Sequence, residues 1–232
     1  MDKPEAYPTG KMKVCALIPA YNEAPHIAAV ARGAARYVAE VVAIDDGSTD
    51  GTYEQAASAG ATCLRMPRNL GKAAALRAGL EYAQARDFTH VLTLDGDGQH
   101  LPEDIPGLLD ASAADLVIGA RDFDRAGMPR SRYFSNTVGS KAASWLGGQE
   151  IRDSQSGFRL IRLEGLRRVR WRSRCYEFEL ELLIKLVRGG GTVGHAPVRA
   201  VYHGGQARSK MHPVRDTVRI CLWSLAFRYL RA

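Results

Sequence analysis

The apolar residues of this chain gather in short uninterrupted runs, separated by longer stretches with helical spacing. Val14-Cys15-Ala16-Leu17-Ile18 is the first run, closed by Pro19. Glu40 to Ile44, Ala61 to Met66, His90 to Leu94 and Asp115 to Gly119 follow, with Leu160-Ile161 and Thr192 to Tyr202 further on. Runs that do not alternate with polar residues predict strands covered on both faces. Between them, Ala24 to Tyr37, Tyr53 to Ser58, Ala73 to Ala85, Ile105 to Ala113, Phe134 to Leu146 and Tyr176 to Val187 read as helices. The alternation predicts an α/β fold with a single, mostly parallel central sheet and helices on both faces. Pro197 places the last strand near an edge, because proline cannot donate to a ladder. No linker divides the chain. Residues 1–12 read as a tail and 13–213 as one domain, with a front half 13–120 and a back half 121–213. Residues 214–232 read as a terminal helix.

Charge sharpens this division. The net charge is +7, yet residues 1–120 hold 10 Lys+Arg against 16 Asp+Glu, while residues 121–232 hold 22 against 9. An acidic front suits a metal ion, and a basic back suits phosphate or an anionic surface. Basic and aromatic residues do not interleave as in single-strand binders, so no nucleic-acid partner is expected. No run of about 18 apolar residues is present, so no membrane-spanning helix is expected. Residues 1–13 lack the apolar core of a signal peptide. Cys15, Cys63, Cys175 and Cys221 stand far apart. That spacing argues against a zinc site or a disulfide framework and fits a reducing cytoplasm. In the terminal helix, Arg215, Arg219, Arg228 and Arg231 flank Ile220 to Phe227. With Trp223 and Tyr229 it suits a peripheral position at a membrane surface, and packing on the core is the other reading.

The candidate chemistry centres on Asp95-Gly96-Asp97-Gly98-Gln99-His100. This turn follows a buried strand and precedes a helix start, and open α/β sheets bind ligands outside the carboxyl ends of their strands. Two carboxylates with the neutral oxygen of Gln99 suit Mg2+ or Mn2+, which share their ligands with substrate phosphates. A solvated Asp-Gly turn is the bland alternative. No GxGxxG follows the first strand, and Asn69-Leu70-Gly71-Lys72 lacks the first glycine of a phosphate loop.

Four motifs stand in order: Pro19-Ala20-Tyr21-Asn22-Glu23, Asp45-Asp46-Gly47-Ser48-Thr49-Asp50-Gly51-Thr52, Asn69-Leu70-Gly71-Lys72 and Asp95 to His100. Together with the Ser-Gly-Phe-Arg of Asp153 to Arg159, the chain resembles the family 2 glycosyltransferases over residues 13–210. It looks most like polyprenyl-phosphate sugar transferases such as dolichyl-phosphate mannose synthases. The resemblance implies a GT-A fold, a UDP- or GDP-sugar donor, a divalent cation and inversion at the anomeric carbon. It implies a polyprenyl phosphate or other lipid as acceptor. It also implies that Pro19, Ala20, Tyr21, Glu23, Ile44 and Asp46 hold the base and ribose, Tyr21 by stacking. Lys72 would approach the diphosphate, with Gly96 beside the nucleotide. Asp95, Asp97 and Gln99 would hold the metal. Arg121, Arg132, Ser135, Arg208, Ser209 and Lys210 would form a basic pocket for the acceptor phosphate. Asp97 and Arg121 would be catalytic. Asp153 is the candidate general base for an alcohol acceptor, whereas a lipid phosphate is already anionic and needs none.

The chain departs from the resemblance in two respects. Many membrane-linked relatives carry C-terminal spanning helices, and Gly96 and Gly98 leave more room in the metal motif than bulkier residues would. A nucleotidyltransferase would carry a glycine-rich basic loop after the first strand, and Pro19 to Glu23 is not one. A non-catalytic basic module, sitting on membrane or nucleic acid through residues 121–232, is the rival from another class.

Overall fold

A computed structural model describes residues 12–121, 130–166 and 177–199. Its first strand, β1 (Val14–Ala20), is buried along its whole length. Side chains alternate across a strand. Accordingly Cys15 and Leu17 enter one core, while Val14, Ala16, Ile18 and Ala20 enter another on the opposite face. The run is apolar at every position because both faces are covered.

The other strands are β2 (Glu40–Asp45), β3 (Thr62–Arg65), β4 (His90–Thr93), β5 (Leu116–Arg121), β6 (Arg159–Arg162) and β7 (Val193–Val198). Together they form one seven-stranded sheet in the order β3-β2-β1-β4-β6-β5-β7. β1 pairs in parallel with β2 and β4, β2 with β3, and β5 with β7. β6 alone runs antiparallel, to both β4 and β5. The sheet is therefore mostly parallel with one reversed strand. The chain enters β6 from a loop at the carboxyl end of the sheet, which brings residues 153–158 beside the Asp95 turn. Among the described strands β7 lies at the edge of the sheet, where a proline fits.

Helices α1 (Ile27–Ala34), α2 (Thr52–Ser58) and α4 (Ile105–Asp110) pack on one face. On the other lie α3 (Lys72–Gln84), α5 (Arg130–Gly147), α6 (Leu163–Leu166) and α7 (Glu177–Arg188). α1 starts later than its sequence suggests, because Glu23 O first accepts the His26 and Ile27 N–H groups in a turn. Among the described residues no helix is long and apolar enough to cross a membrane. The tail, most of the basic loop after Arg121, and residues 200–232 with the predicted terminal helix lie outside the described residues.

From β1 the chain winds outward to β2 and β3, then returns to place β4 on the other side of β1. The crevice at the carboxyl ends of β1 and β4 is thus a topological switch point, where open α/β sheets bind ligands. α3 borders this crevice and lies close on the sheet because of Gly79. A Cβ there would stand 3.0 Å from Ile44 Cδ1 and 3.1 Å from Leu17 Cδ2. Gly79→Leu should therefore lower stability by roughly 1–3 kcal/mol through overpacking, although it removes a helix-interior glycine. Urea unfolding should show a lower midpoint at unchanged slope.

Candidate active site

The loops after β1 and β2 are joined into one cradle. Asp46 N–H donates to Ala20 O at 2.8 Å. Asn22 N–H donates to Ser48 Oγ at 2.9 Å, and Thr49 N–H returns to Asn22 Oδ1 at 3.0 Å. Glu23 N–H meets Thr52 Oγ1 at 2.8 Å, and Ala24 N–H meets Asp50 Oδ2 at 3.1 Å. Asn22 holds a left-handed φ of 56°, a conformation asparagine tolerates better than most residues. Asp46 then reaches across to a third loop, accepting the Leu70 and Gly71 N–H groups at 2.8 Å each. Gly47 permits that crossing. Its φ is +75°, and a Cβ would lie 2.6 Å from the Arg68 carbonyl carbon. The short polar side chains of this motif therefore act first as mortar, fixing the start of α3.

Lys72 is the first residue of α3. Its ammonium lies 2.6 Å from Asp95 Oδ1, at the end of β4, and 3.2 Å from Glu179 Oε1 on α7. Both contacts are ion pairs, and among the described residues the buried Glu179 Oε1 takes no hydrogen bond from any other group. Gly157 closes the third side. A Cβ there would fall 2.8 Å from both Lys72 Nζ and Asp95 Oδ2, so a side chain at this position would push the two charged ends from their present places. Thr93 Oγ1 donates to Gly157 O at 2.8 Å and holds the loop in place. Burial disfavours the Asp95 charge, but Lys72, with His100 and Arg121 beyond it, outweighs burial and holds the carboxyl at about 2. Burial likewise opposes the Lys72 charge, and Asp95 and Glu179 overcome it and raise its pKa.

Asp97 stands two residues on, where its Oδ1 accepts the Gln99 N–H at 3.0 Å. His100 is buried against Phe158, with ring centroids 5.2 Å apart, and its Nδ1 accepts the Asp95 N–H at 3.4 Å. Burial pushes its imidazole pKa down, while Asp95 and Asp97 both pull it up. The two carboxylates therefore share one neighbourhood. Among the described residues no cluster of three or more His, Cys, Asp or Glu forms a metal cage. Mg2+ and Mn2+ do not require one, because one or two carboxylates with substrate phosphates and water suffice. Asp95 already binds one positive group, the Lys72 ammonium, at this spot. Asp95 and Asp97, with Gln99 two residues further along the same turn, fit an ion of this kind.

Arg121 ends β5 and meets Asp153 through two guanidinium bonds, Nε to Oδ2 at 2.7 Å and Nη2 to Oδ1 at 2.9 Å. The Arg121 N–H and Asn136 Nδ2 add donors to the same carboxylate at 3.3 and 2.8 Å. Asp153 is 0% exposed. Burial opposes its charge, yet the Arg121 and Asn136 bonds hold its pKa below the usual range. A carboxylate this saturated is a poor proton acceptor. The expectation that Asp153 serves as a general base for an alcohol acceptor therefore meets a physical obstacle, and its bonds hold the Arg121 guanidinium in place. Arg121 in turn acts electrostatically on both Asp95 and His100.

Residues 15–170 match the model of the Glycosyl transferase family 2. The chain belongs to that family. It is 29% identical to an undecaprenyl-phosphate mannosyltransferase of Micrococcus luteus over 94% of this chain and 96% of that one. It is 30% identical to a polyprenol monophosphomannose synthase of Mycolicibacterium smegmatis, over 93% and 88% of the two chains. Among solved structures, glucosyl-3-phosphoglycerate synthase of Mycobacterium tuberculosis, in complex with Mn2+, UDP-glucose and phosphoglyceric acid, superposes with a TM-score of 0.72. That match has 20% identity and covers 93% of this chain and 80% of that one. The fold is thus GT-A, as the motif order implied.

The family 2 glycosyltransferase brings Lys72, Asp95, Asp97, Gln99, Arg121 and Asp153 to one end of the sheet. Tyr21 and Glu23 lie half-buried on the neighbouring cradle. Other expected nucleotide contacts are placed differently. Ile44 is fully buried beneath α3, and Pro19 and Ala20 are buried in β1, so their side chains cannot line a ligand surface. Both Asp46 oxygens are engaged by backbone N–H groups. Gly96 does not leave room for a ligand. A Cβ there would press within 3.3 Å of Ala20 Cβ and Ile27 Cδ1, so its smallness serves packing against β1. The side chains of Arg132 and Ser135, and all of Arg208, Ser209 and Lys210, lie outside the described residues.

Two residues escaped the sequence reading. Arg159 is 1% exposed, and it donates to Ser156 O, Glu179 O and Ser154 O at 2.8, 2.7 and 2.7 Å. It closes the Ser-Gly-Phe-Arg motif, which was the available signal. Glu179 sits within the regular acid-leucine pattern of α7 and carried none.

The Lys72–Asp95 pair has a pH signature. A carboxyl held at about 2, below its ordinary 3.8, stabilises the fold above the ordinary carboxylate range. That contribution is lost as pH falls toward 2. Lys72→Met should raise the Asp95 pKa by about one unit or more and move acid unfolding to higher pH. Carboxyl-carbon NMR titration of both proteins measures the shift.

Proposed function

We propose that this glycosyltransferase moves a sugar, with inversion, from a UDP- or GDP-sugar to the phosphate of a polyprenyl lipid, with Mg2+ or Mn2+ as cofactor. One observation carries this reading. Asp95 lies in the field of Lys72, at the start of a long helix, and of Arg121, held by a buried carboxylate. Donor and acceptor phosphates would thus meet across a single carboxylate turn. Helix starts and lysines favour diphosphates, and a firmly held guanidinium favours a second phosphate.

A divalent ion held by Asp95 and Asp97, with Gln99 beside it, would neutralise the charge growing on the departing nucleoside diphosphate. Lys72 holds the same diphosphate from the α3 side. Tyr21, on the cradle of loops after β1 and β2, stacks on the base. Arg121, steadied by Asp153, grips the acceptor phosphate and aims its oxygen at the anomeric carbon from the face opposite the leaving group. That oxygen is already anionic, so the locked state of Asp153 is no handicap. A saturated carboxylate would be a handicap for an alcohol acceptor, and this favours the lipid phosphate. Arg132, Ser135, Arg208, Ser209 and Lys210 complete the acceptor pocket in this reading.

The enzyme works at the cytoplasmic face of a membrane in this reading, held peripherally. α5 supports that placement. Phe134 and Trp145 are 70% and 62% exposed and fall on one helical face with exposed Lys141. Aromatic side chains beside a cation suit the boundary between headgroups and acyl chains. The arginine-rich segment 214–232 would add a second attachment.

Transfer of labelled sugar from UDP- and GDP-sugars to undecaprenyl phosphate, with Mn2+, tests the proposal directly. Asp97→Ala should lose roughly 10²–10³-fold in kcat while its circular dichroism is unchanged. Full activity in that variant, or in excess chelator, would remove the metal from the mechanism. Arg121→Ala should raise KM for the lipid phosphate about tenfold or more and change donor affinity little, read by donor-induced thermal shift. Equal loss on both sides would refute the acceptor assignment.

A further inference from the structure

Lys72 stands between two carboxylates, and only one of them belongs to the metal motif. Its ammonium is 2.6 Å from Asp95 Oδ1 and 3.2 Å from Glu179 Oε1. A divalent ion at Asp95 would stand directly against that ammonium. An ion that takes Oδ1, alone or together with Oδ2, would displace the ammonium from the oxygen it now holds, and Lys72 then needs another partner for its charge. Glu179 Oε1 is buried, and among the described residues Lys72 is the one group that offers it a donor; buried carboxylate oxygens are rarely left with less. It is a half-used acceptor beside a cation with reason to move.

The surroundings permit only a local move. The Lys72 backbone is fixed through Gly71, whose N–H is held by Asp46 at 2.8 Å. The α7 backbone is fixed at Glu179 itself, whose carbonyl accepts Arg159 Nη1 at 2.7 Å. Arg159 also grips the loop carrying Gly157, against which Lys72 and Asp95 lie. What remains free is the flexible stem of Lys72, which can carry its ammonium from one carboxylate to the other by a rotamer change.

Given the cation site of the proposed function, we propose that Glu179 is a positioning residue for Lys72. It takes over the ammonium when a divalent ion occupies Asp95. Lys72 then stays at the donor end of the crevice as a diphosphate ligand instead of competing with the ion. The substrate class this serves is a metal-bound nucleoside diphosphate.

The test is Mn2+ affinity of the full chain without donor, read from the electron paramagnetic resonance signal of free Mn2+. The proteins are wild type, Glu179→Gln, Lys72→Met and the double variant. In Glu179→Gln, Lys72 should stay on Asp95 and weaken Mn2+ binding roughly tenfold. In the Lys72→Met background the same change should cost no more than about twofold. An equal loss in both backgrounds would mean that Glu179 acts on the ion directly, and no loss in either would mean that it plays no part. Each of these outcomes overturns the proposal. Should Glu179→Gln melt early, Glu179→Asp, which withdraws the carboxylate from Lys72 and keeps its charge, is measured in both backgrounds instead. A severalfold loss that vanishes in Lys72→Met supports the proposal, and an equal loss in both or none in either overturns it. A wild-type chain that binds no Mn2+, even with UDP or GDP added, would instead refute the cation site of the proposed function and remove the basis of this one.

Discussion

The contact between Lys72 and Asp95 is the constraint around which the site is built. Two opposite charges, drawn from solvent at the lip of the sheet, lie 2.6 Å apart. Taking charges out of water is costly unless each finds a partner of the other sign and good geometry. The surrounding structure supplies both. Asp46 pins the start of α3, Gly157 brings its loop against the pair without a side chain, and Glu179 adds a second negative group. Arg159 joins that loop to α7.

The same structure is arranged as two opposed charge pairs. Lys72 with Asp95 forms one, and Arg121 with Asp153 the other. They differ in a way that suits different work. Asp153 has no exposure and receives four hydrogen-bond donors, so its pair is fixed. Asp95 and Lys72 are each about a third or less exposed, and their partnership is shared with Glu179. A fixed guanidinium can orient a phosphate, whereas a shared ammonium can be displaced by an ion. The GT-A sheet holds both pairs at one edge because β6 reverses direction, carrying residues 153–158 back to the carboxyl end of β4.

Much of this was legible in the linear chain. The unbroken run Val14 to Ile18 specified a strand buried on both faces, since no solvated strand tolerates five successive apolar residues. The placement of Asp95 and Asp97 after such a strand specified a turn at the carboxyl end of the sheet, and the motif order specified the family. Pro197 marked its strand as an edge, which β7 is. These are local properties: a periodicity, a missing donor, a spacing.

What the chain could not declare was partnership. Asp46, Asp95 and Asp153 are the same residue type in similar turns. Only the tertiary structure makes one a clamp for a distant loop, one the partner of an ammonium and one a sealed anchor for arginine. Ile44 and Gly96 follow the family motif, yet the structure spends them on packing. Glu179 looked like any acid on an amphipathic helix until α7 docked beside Lys72. The reason is physical: the run of apolar and polar residues fixes which side chains leave water, whereas the charge a side chain meets on arrival depends on segments many residues away and on the direction in which each strand returns.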